Sequence, residues 1–254
     1  MKVKNKKILI TGSNRGMGKG FALEAEKRGA LLILHARKWT AEFKTEFLHP
    51  DHHQFIEADL GSPSQVSNFL EQLPEVDIVI NNAGILTGEL AEDQTYEQIE
   101  NVMTINSIIP MKIVKAVLPK LVAKNAGMIV NNTSVSAIMR FPMASTYAAS
   151  KAALAAYSEC LRAELKSTDV KVLTLYTPGI KTDMFDDLSV RYGKKMDLKM
   201  MSSITIEEYA VMVLDAIESG KAVLRPKGSS GFGLWLAQHF PSLFSRLANQ
   251  YFKR

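Results

Sequence analysis

The chain has a single cysteine, Cys160, in 254 residues. That excludes an internal disulfide and any cysteine-based metal cluster. Cys160 falls among alanines in a helical stretch, where a buried, inert thiol is the expected role. No apolar run approaches the roughly 18 continuous residues of a membrane span, and Ile8-Leu9-Ile10 is too short for a signal peptide. The net charge of +5 is a mild surplus, with lysines grouped at Lys2, Lys4, Lys6 and Lys7 and again at Lys194, Lys195 and Lys199. No basic stripe interleaved with aromatics is present, so nucleic acid is not an expected partner, whereas an anionic cofactor or substrate suits the surplus. Low cysteine usage agrees with a cytoplasmic location. Internal repeats, low-complexity tracts and linkers are also lacking, so one domain is expected. At 46% hydrophobic and 22% charged residues, the chain can bury a sizeable core.

What is present centres on the stretch Ser134 to Lys151. Tyr147 and Lys151 are four apart, and on a helix they share one face. An ammonium beside a phenol favours the phenolate, which lowers the tyrosine pKa and makes it an acid or base usable near neutral pH. Ser134 is placed to hold a substrate oxygen against that hydroxyl. The plainer alternative is an Ala-rich core helix with a chance Tyr-x-x-x-Lys.

The first forty residues read strand, glycine turn, helix, strand. The apolar run Ile8 to Thr11 leads into Gly12-Ser13-Asn14-Arg15-Gly16-Met17-Gly18, then a helix that closes at Gly29, then the apolar run Ala30 to His35. Gly12 permits a tight bend, and Gly16 and Gly18 let backbone approach a bulky anion and the strand. Helix N-terminal amides would then face a pyrophosphate. The alternative is a plain glycine-rich turn. The second strand ends in His35-Ala36-Arg37-Lys38, without the acid that would bind a ribose 2′-hydroxyl. Arg37 and Arg15 are suited to a 2′-phosphate, which selects NADP(H), or else are solvated surface charges.

Further along, His49, His52 and His53 lack partners that would complete a metal site and read as a loop. The strand His53 to Ala58 ends at Asp59-Leu60, and Ser62 is expected to cap the next helix, to about Leu73. Asp77 to Asn81 is a fourth strand, followed by Asn81-Asn82-Ala83-Gly84, whose asparagine side chains pin loop to sheet. Thr95 caps a long helical segment, 96–124, which Pro110 and Pro119 should kink or break. Asn106, polar amid isoleucines, needs a partner or a water. Gly127 to Thr133 is a fifth strand, Ala144 to Lys166 a helix, Val170 to Tyr176 a sixth strand, Ile206 to Ser219 a helix and Ala222 to Arg225 a seventh strand. The Met-rich region from Asp183 to Ser203 suits a mobile loop over a lipophilic pocket. In the tail, 228–254, Phe240, Leu243, Phe244, Leu247 and Tyr251 fall at helical spacing, predicting one amphipathic helix. It docks on its own body or on a second subunit, or lies peripherally on a membrane surface.

Taken in order, these motifs resemble the short-chain dehydrogenase/reductase family from Ile8 to about Arg225. The resemblance implies an α/β fold: a single-domain, Rossmann-like, doubly wound parallel sheet of about seven strands with helices on both faces, over residues 1–227. It implies that the turn residues Gly12, Ser13, Arg15, Gly16, Met17 and Gly18 bind the cofactor, together with Arg37. Asp59 and Leu60 would meet the adenine. Asn82, Ala83 and Gly84, in the loop that supports the sheet, would bind the cofactor as well, as would Tyr147 and Lys151. Pro178, Gly179, Ile180 and Thr182 would fix the nicotinamide carboxamide. Asn106, Ser134, Tyr147 and Lys151 match the family's catalytic positions. Tyr147 would protonate the substrate oxygen, Ser134 would hydrogen-bond it, Lys151 would hold the ribose and keep the tyrosine pKa low, and Asn106 would hold a water. The implied activity is NADP(H)-dependent interconversion of a carbonyl and a secondary alcohol. Apolar residues around the site, including Met139, Met184 and Phe185, point to a hydrophobic substrate, free or carrier-bound, touching Ser134, Met139, Tyr147 and Met184. No metal is implied. A homodimer or homotetramer is implied, paired through the helices around Asn106 and Tyr147. The rival is a non-catalytic NADP-binding regulator or scaffold, which would be expected to lose Tyr147 or Lys151. Asn131 and Asn132 depart from a strand that is usually more apolar in the family.

Overall fold

The computed structural model describes residues 1–182, 192, 195 and 203–254. In chain order the elements are β1 (Lys7–Thr11), α1 (Gly16–Lys27), β2 (Leu31–Ala36), a short α2 (Ala41–Lys44), β3 (Gln54–Glu57), α3 (Pro63–Glu71) and β4 (Ile78–Asn81). There follow α4 (Tyr96–Met103), α5 (Ile109–Ala123), β5 (Gly127–Asn132), α6 (Ser145–Glu164) and β6 (Val170–Leu175). The chain then forms β7 (Gly179–Ile180), β8 (Ser203–Ile204), α7 (Ile206–Glu218), β9 (Val223–Leu224), α8 (Gly228–His239) and α9 (Pro241–Asn249). Seven strands make one parallel sheet in the order β3-β2-β1-β4-β5-β6-β9. Parallel neighbours need long crossovers, which the helices supply on both faces. The expected Rossmann-like architecture is thus the observed one. A two-stranded pair, β7 with β8, is an addition that the sequence did not announce.

Strand alternation sorts the core into two layers. Ile8, Ile10, Ile78, Ile80, Met128 and Val130 pack with Phe21 of α1 and with Tyr209, Val213 and Ile217 of α7. The intervening Leu9, Val79 and Ile129 pack on the other face with Val66 and Phe69 of α3, Ile113 and Leu121 of α5 and Leu161 of α6. Each large side chain so buried contributes about 1.5–3 kcal/mol relative to exposure. Helix α1 comes so close to α7 that a Cβ on Gly20 would lie 2.3 Å from Ile206. The sheet order reverses between β1 and β4, and the loops beyond the carboxyl ends of the strands open a crevice there.

Several local expectations are corrected. The segment after Thr95, capped as expected by a capping box with Gln98, is not broken at its prolines. It passes from α4 through a π-turn, Thr104–Ile108, into α5, with Pro110 in the first turn of α5 and Pro119 tolerated inside it. By length and composition 96–123 resembles a membrane span, yet Val102, Ile109, Ile113, Val114 and Leu121 are buried within the fold. Ser62 stands at the N-cap of α3 without a side-chain cap, its hydroxyl meeting that of Ser64. Cys160 is exposed, because it lies on the outward side of α6 while Leu154, Ser158 and Leu161 face in. The tail forms two helices, not one, with the break at Phe240 before Pro241, whose ring cannot continue α8. His53 is structural, its ring bonded to Leu32 and to Glu26 at 3.0 Å.

Candidate active site

The glycine turn is built as its spacing requires. Gly12 and Gly16 have φ of 66° and 53°, a region open to glycine. A Cβ on Gly18 would lie 2.1 Å from the Gly12 carbonyl oxygen, so the first turn of α1 presses against the loop. That helix has no side-chain cap at Arg15 and no acid in its first turn, leaving its amides and positive dipole end available to an anion. The Asn82 side chain donates to the carbonyls of Thr11 and Gly12, at 3.0 and 3.2 Å, and the Thr11 hydroxyl accepts from the amides of Asn82 and Ala83. His35 braces the turn from β2, with Nδ1 accepting from the Gly12 amide and Nε2 meeting the Ala58 carbonyl. Burial holds its pKa down to about 4, so the ring is neutral at pH 7.

A cleft of about 360 Å³ follows this turn. Its walls include Gly12, Arg15, Gly16, Met17, Arg37, Asp59, Leu60, Asn82, Ala83, Gly84 and Thr182, most of the residues expected to bind a cofactor. Arg15 and Arg37 are both exposed on it. Ser13 and Gly18 are not on this wall: the Ser13 hydroxyl donates inward to the His35 carbonyl, and Gly18 is buried against Gly12. The open helix terminus and the glycine cradle fit a dinucleotide pyrophosphate.

A second cavity, of about 140 Å³, shares Met17, Asn82, Gly84 and Thr182 with the cleft. It is lined by Ser134, Tyr147, Lys151, Pro178, Gly179 and Ile180, and by the apolar Leu86, Val135, Phe141 and Ala144. Ser134 follows β5 in extended backbone, its hydroxyl accepting from the Ser136 amide at 3.1 Å, and Tyr147 and Lys151 stand on the first turns of α6. Asn106 sits in the π-turn, fully buried, with its amide donating to Ile85 and Ser150 and its oxygen accepting from the Ile85 amide. Both of its N–H donors are taken while its oxygen accepts a single bond, so the side chain positions the loop after β4 and the start of α6. Its oxygen and Lys151 Nζ both face Gly84, at 3.1 and 3.5 Å from where a Cβ would be.

Electrostatics corrects one further expectation. Lys151 is buried and donates to the Asn132 carbonyl at 2.9 Å, with Nζ 5.8 Å from the centroid of the Tyr147 ring. Burial lowers its pKa to about 8. Burial also dominates at Tyr147, whose pKa is raised, with the Ser134 side chain opposing. Tyr147 is therefore a protonated acid at neutral pH. Met139 is not brought to the cavity. It packs under α8 with Val135 and Leu234, where a Cβ on Gly233 would be 3.0 Å away. Met184 and Phe185 lie outside the described residues.

Three wall residues were not expected at the site, although Asn132 stood out as a polar residue in an apolar strand. Asn132 holds Lys151 by its carbonyl, while its side chain bonds Thr177 and Asn82. Thr177 also meets the Tyr209 hydroxyl. Tyr192 is buried against Met143, its pKa pushed up to about 12 by burial and by nearby Tyr147. Thr177 directly precedes Pro178-Gly179, which is its hint in the sequence.

The family model for short chain dehydrogenases matches residues 6–192. The chain belongs to the short-chain dehydrogenase/reductase family of oxidoreductases. Among its members, the rat protein "Dehydrogenase/reductase SDR family member 7B" is 31% identical, over 96% of this chain and 81% of that one. "11-beta-hydroxysteroid dehydrogenase-like 3" of Arabidopsis thaliana is 37% identical, over 72% of this chain and 61% of that one. A crystal structure of a short chain dehydrogenase from Burkholderia cenocepacia in complex with NADP matches with a TM-score of 0.79, at 25% identity, over 97% of this chain and 99% of that one. The family uses NAD(P)(H).

Proposed function

We propose that this chain is an NADP(H)-dependent enzyme that interconverts a carbonyl and a secondary alcohol on a hydrophobic substrate. One observation carries this reading: the side chains of Ser134, Tyr147 and Lys151 line one cavity, and that cavity shares walls with the cleft along the glycine turn. In the reductive direction a bound nicotinamide supplies the hydride to the carbonyl carbon. The first-turn amides of α1, Arg15 and Arg37 would hold its phosphates, and Pro178 to Thr182 its carboxamide end. Tyr147, protonated because it is buried, gives its proton to the substrate oxygen, and Ser134 hydrogen-bonds that oxygen. Lys151, cationic below pH about 8, stabilises the negative charge left on Tyr147. In oxidation the same groups run in reverse.

The NADP preference is supported by the two exposed arginines on the cleft and by the NADP bound to the Burkholderia protein. The apolar side chains of the cavity, and the steroid-dehydrogenase name of the Arabidopsis relative, favour a hydrophobic substrate. The test is NADPH consumption with a panel of hydrophobic ketones, aldehydes and carrier-bound 3-oxoacyl chains. Turnover with at least one class is expected. Tight NADPH binding without turnover on any of them would favour a non-catalytic binding protein.

A further inference from the structure

The C-terminal segment differs from the rest of the chain in both charge and surface. Residues 219–254 contain no Asp or Glu, but six basic residues: Lys221, Arg225, Lys227, Arg246, Lys253 and Arg254. Removing these six from the 31 basic residues of the chain leaves 25 against 26 acidic ones, so the entire positive surplus resides here. All six are exposed. Arg254 meets Glu92 and Arg225 meets Gln238; Lys221, Lys227 and Arg246 have no acidic neighbour within their own segment.

The same segment holds six of the twelve large hydrophobic residues that are exposed among the described ones: Phe232, Trp235, Phe240, Leu243, Leu247 and Tyr251. They are not scattered. Trp235 stacks on Phe232 with 6.0 Å between centroids, and Phe240 follows at 5.7 Å. Leu243, Leu247 and Tyr251 continue at steps of four along one side of α9 and just beyond it. The opposite side of the α8–α9 hairpin is docked on the body through Leu234, Ala237, Phe244 and Phe252.

We infer that the outer side of the α8–α9 hairpin lies on an anionic lipid bilayer. An apolar stripe with Trp and Phe, carried on a basic segment that has no acids of its own, is the pattern of a helix that rests in the headgroup layer. A second copy of the chain is a poorer occupant, because it would bring two acid-free basic segments together. The docked side places the hairpin beside the cavity: Phe244 packs on Phe141, and Phe252 packs with Leu86 and Tyr192, all three cavity-wall residues. Bilayer docking therefore sets that cavity next to lipid, from which an apolar substrate can enter; this consequence alone rests on the proposed function.

The test is co-sedimentation of the full chain with vesicles of phosphatidylcholine, with and without phosphatidylglycerol. Binding to the anionic vesicles is expected to be at least roughly ten-fold tighter and to weaken with salt. In a Trp39→Phe background, Trp235 emission should shift to shorter wavelength on binding. The double variant Trp235→Glu/Leu243→Glu, altered only at exposed positions, should lose vesicle binding while keeping the wild-type circular dichroism spectrum. Absence of binding to anionic vesicles, or equal binding by the folded double variant, overturns the inference. So does a wild-type dimer that the same variant makes monomeric, which would assign the surface to a second copy. Each outcome is read without catalysis, so a failed activity assay does not bear on it.

Discussion

The Nζ of Lys151 donates a 2.9 Å hydrogen bond to the main-chain carbonyl of Asn132, the last residue of β5. The Asn132 side chain is in turn fixed by Thr177 and Asn82, so the ammonium is tied to the edge of the central sheet. It is held by a neutral acceptor, and burial is left to lower its pKa to about 8.

A pH profile follows from that value. Reductive kcat/KM, which reports groups of the free enzyme, should be level near neutral pH and fall as pH rises past about 8, where Lys151 loses its charge. Tyr147, with its pKa raised, remains protonated throughout that fall. A plateau persisting beyond pH 10 would show that the lysine charge is not needed. Stability runs the other way: the folded chain binds fewer protons than the unfolded chain between pH 8 and 10.5, so this group's contribution rises over that interval.

Tyr147→Phe removes the proton but keeps the ring. NADPH affinity should remain within about two-fold, and turnover should fall by about 10²–10⁴-fold, the range for a positioned acid. Fluorescence titration with NADPH, set beside steady-state kinetics, separates the two. Near-normal turnover would refute the assigned acid.

Arg37→Asp replaces an exposed cation on the cleft with an acid. A charge-assisted hydrogen bond is worth about 1.5–3 kcal/mol, so the ratio of kcat/KM for NADPH over NADH should drop by roughly ten-fold or more. An unchanged ratio would remove Arg37 from the cofactor site.

His35 gives the fold an acid-sensitive point. Its pKa is about 4 in the folded chain against 6.5 for the free side chain, so the unfolded state binds more protons between those values. Its contribution is intact above pH 6.5 and is lost as pH falls towards 4, by about 3 kcal/mol in all. Urea unfolding at pH 7 and pH 4.5 should show that part of the slope in the wild-type chain and not in His35→Gln.

Much of this was legible in the sequence because it is local. The glycine turn, the Asn82–Gly84 loop and the spacing of Ser134, Tyr147 and Lys151 each declare themselves within a few residues. The seven strands were legible for a related reason, since runs such as Ile8 to Thr11 are apolar on both faces. What escaped depends on contacts distant in sequence. The π-turn at Thr104–Ile108 holds Asn106 where it reaches Ile85 and Ser150. The protonation of Tyr147 is set by burial, which no four-residue spacing encodes. Met139 looked like a cavity residue from its neighbours, yet α8 claims it from the far end of the chain.

The Thr11 hydroxyl accepts from two successive amides, those of Asn82 and Ala83, each at 3.0 Å. One oxygen thus closes both the end of β1 and the end of β4, and neither loop can open while the other stays shut. In deuterium oxide these two amides should exchange together and only at the rate of global unfolding. Thr11→Val, which keeps the shape and deletes the acceptor, should release them to fast local exchange while the amides of Ile8 and Leu9 stay protected.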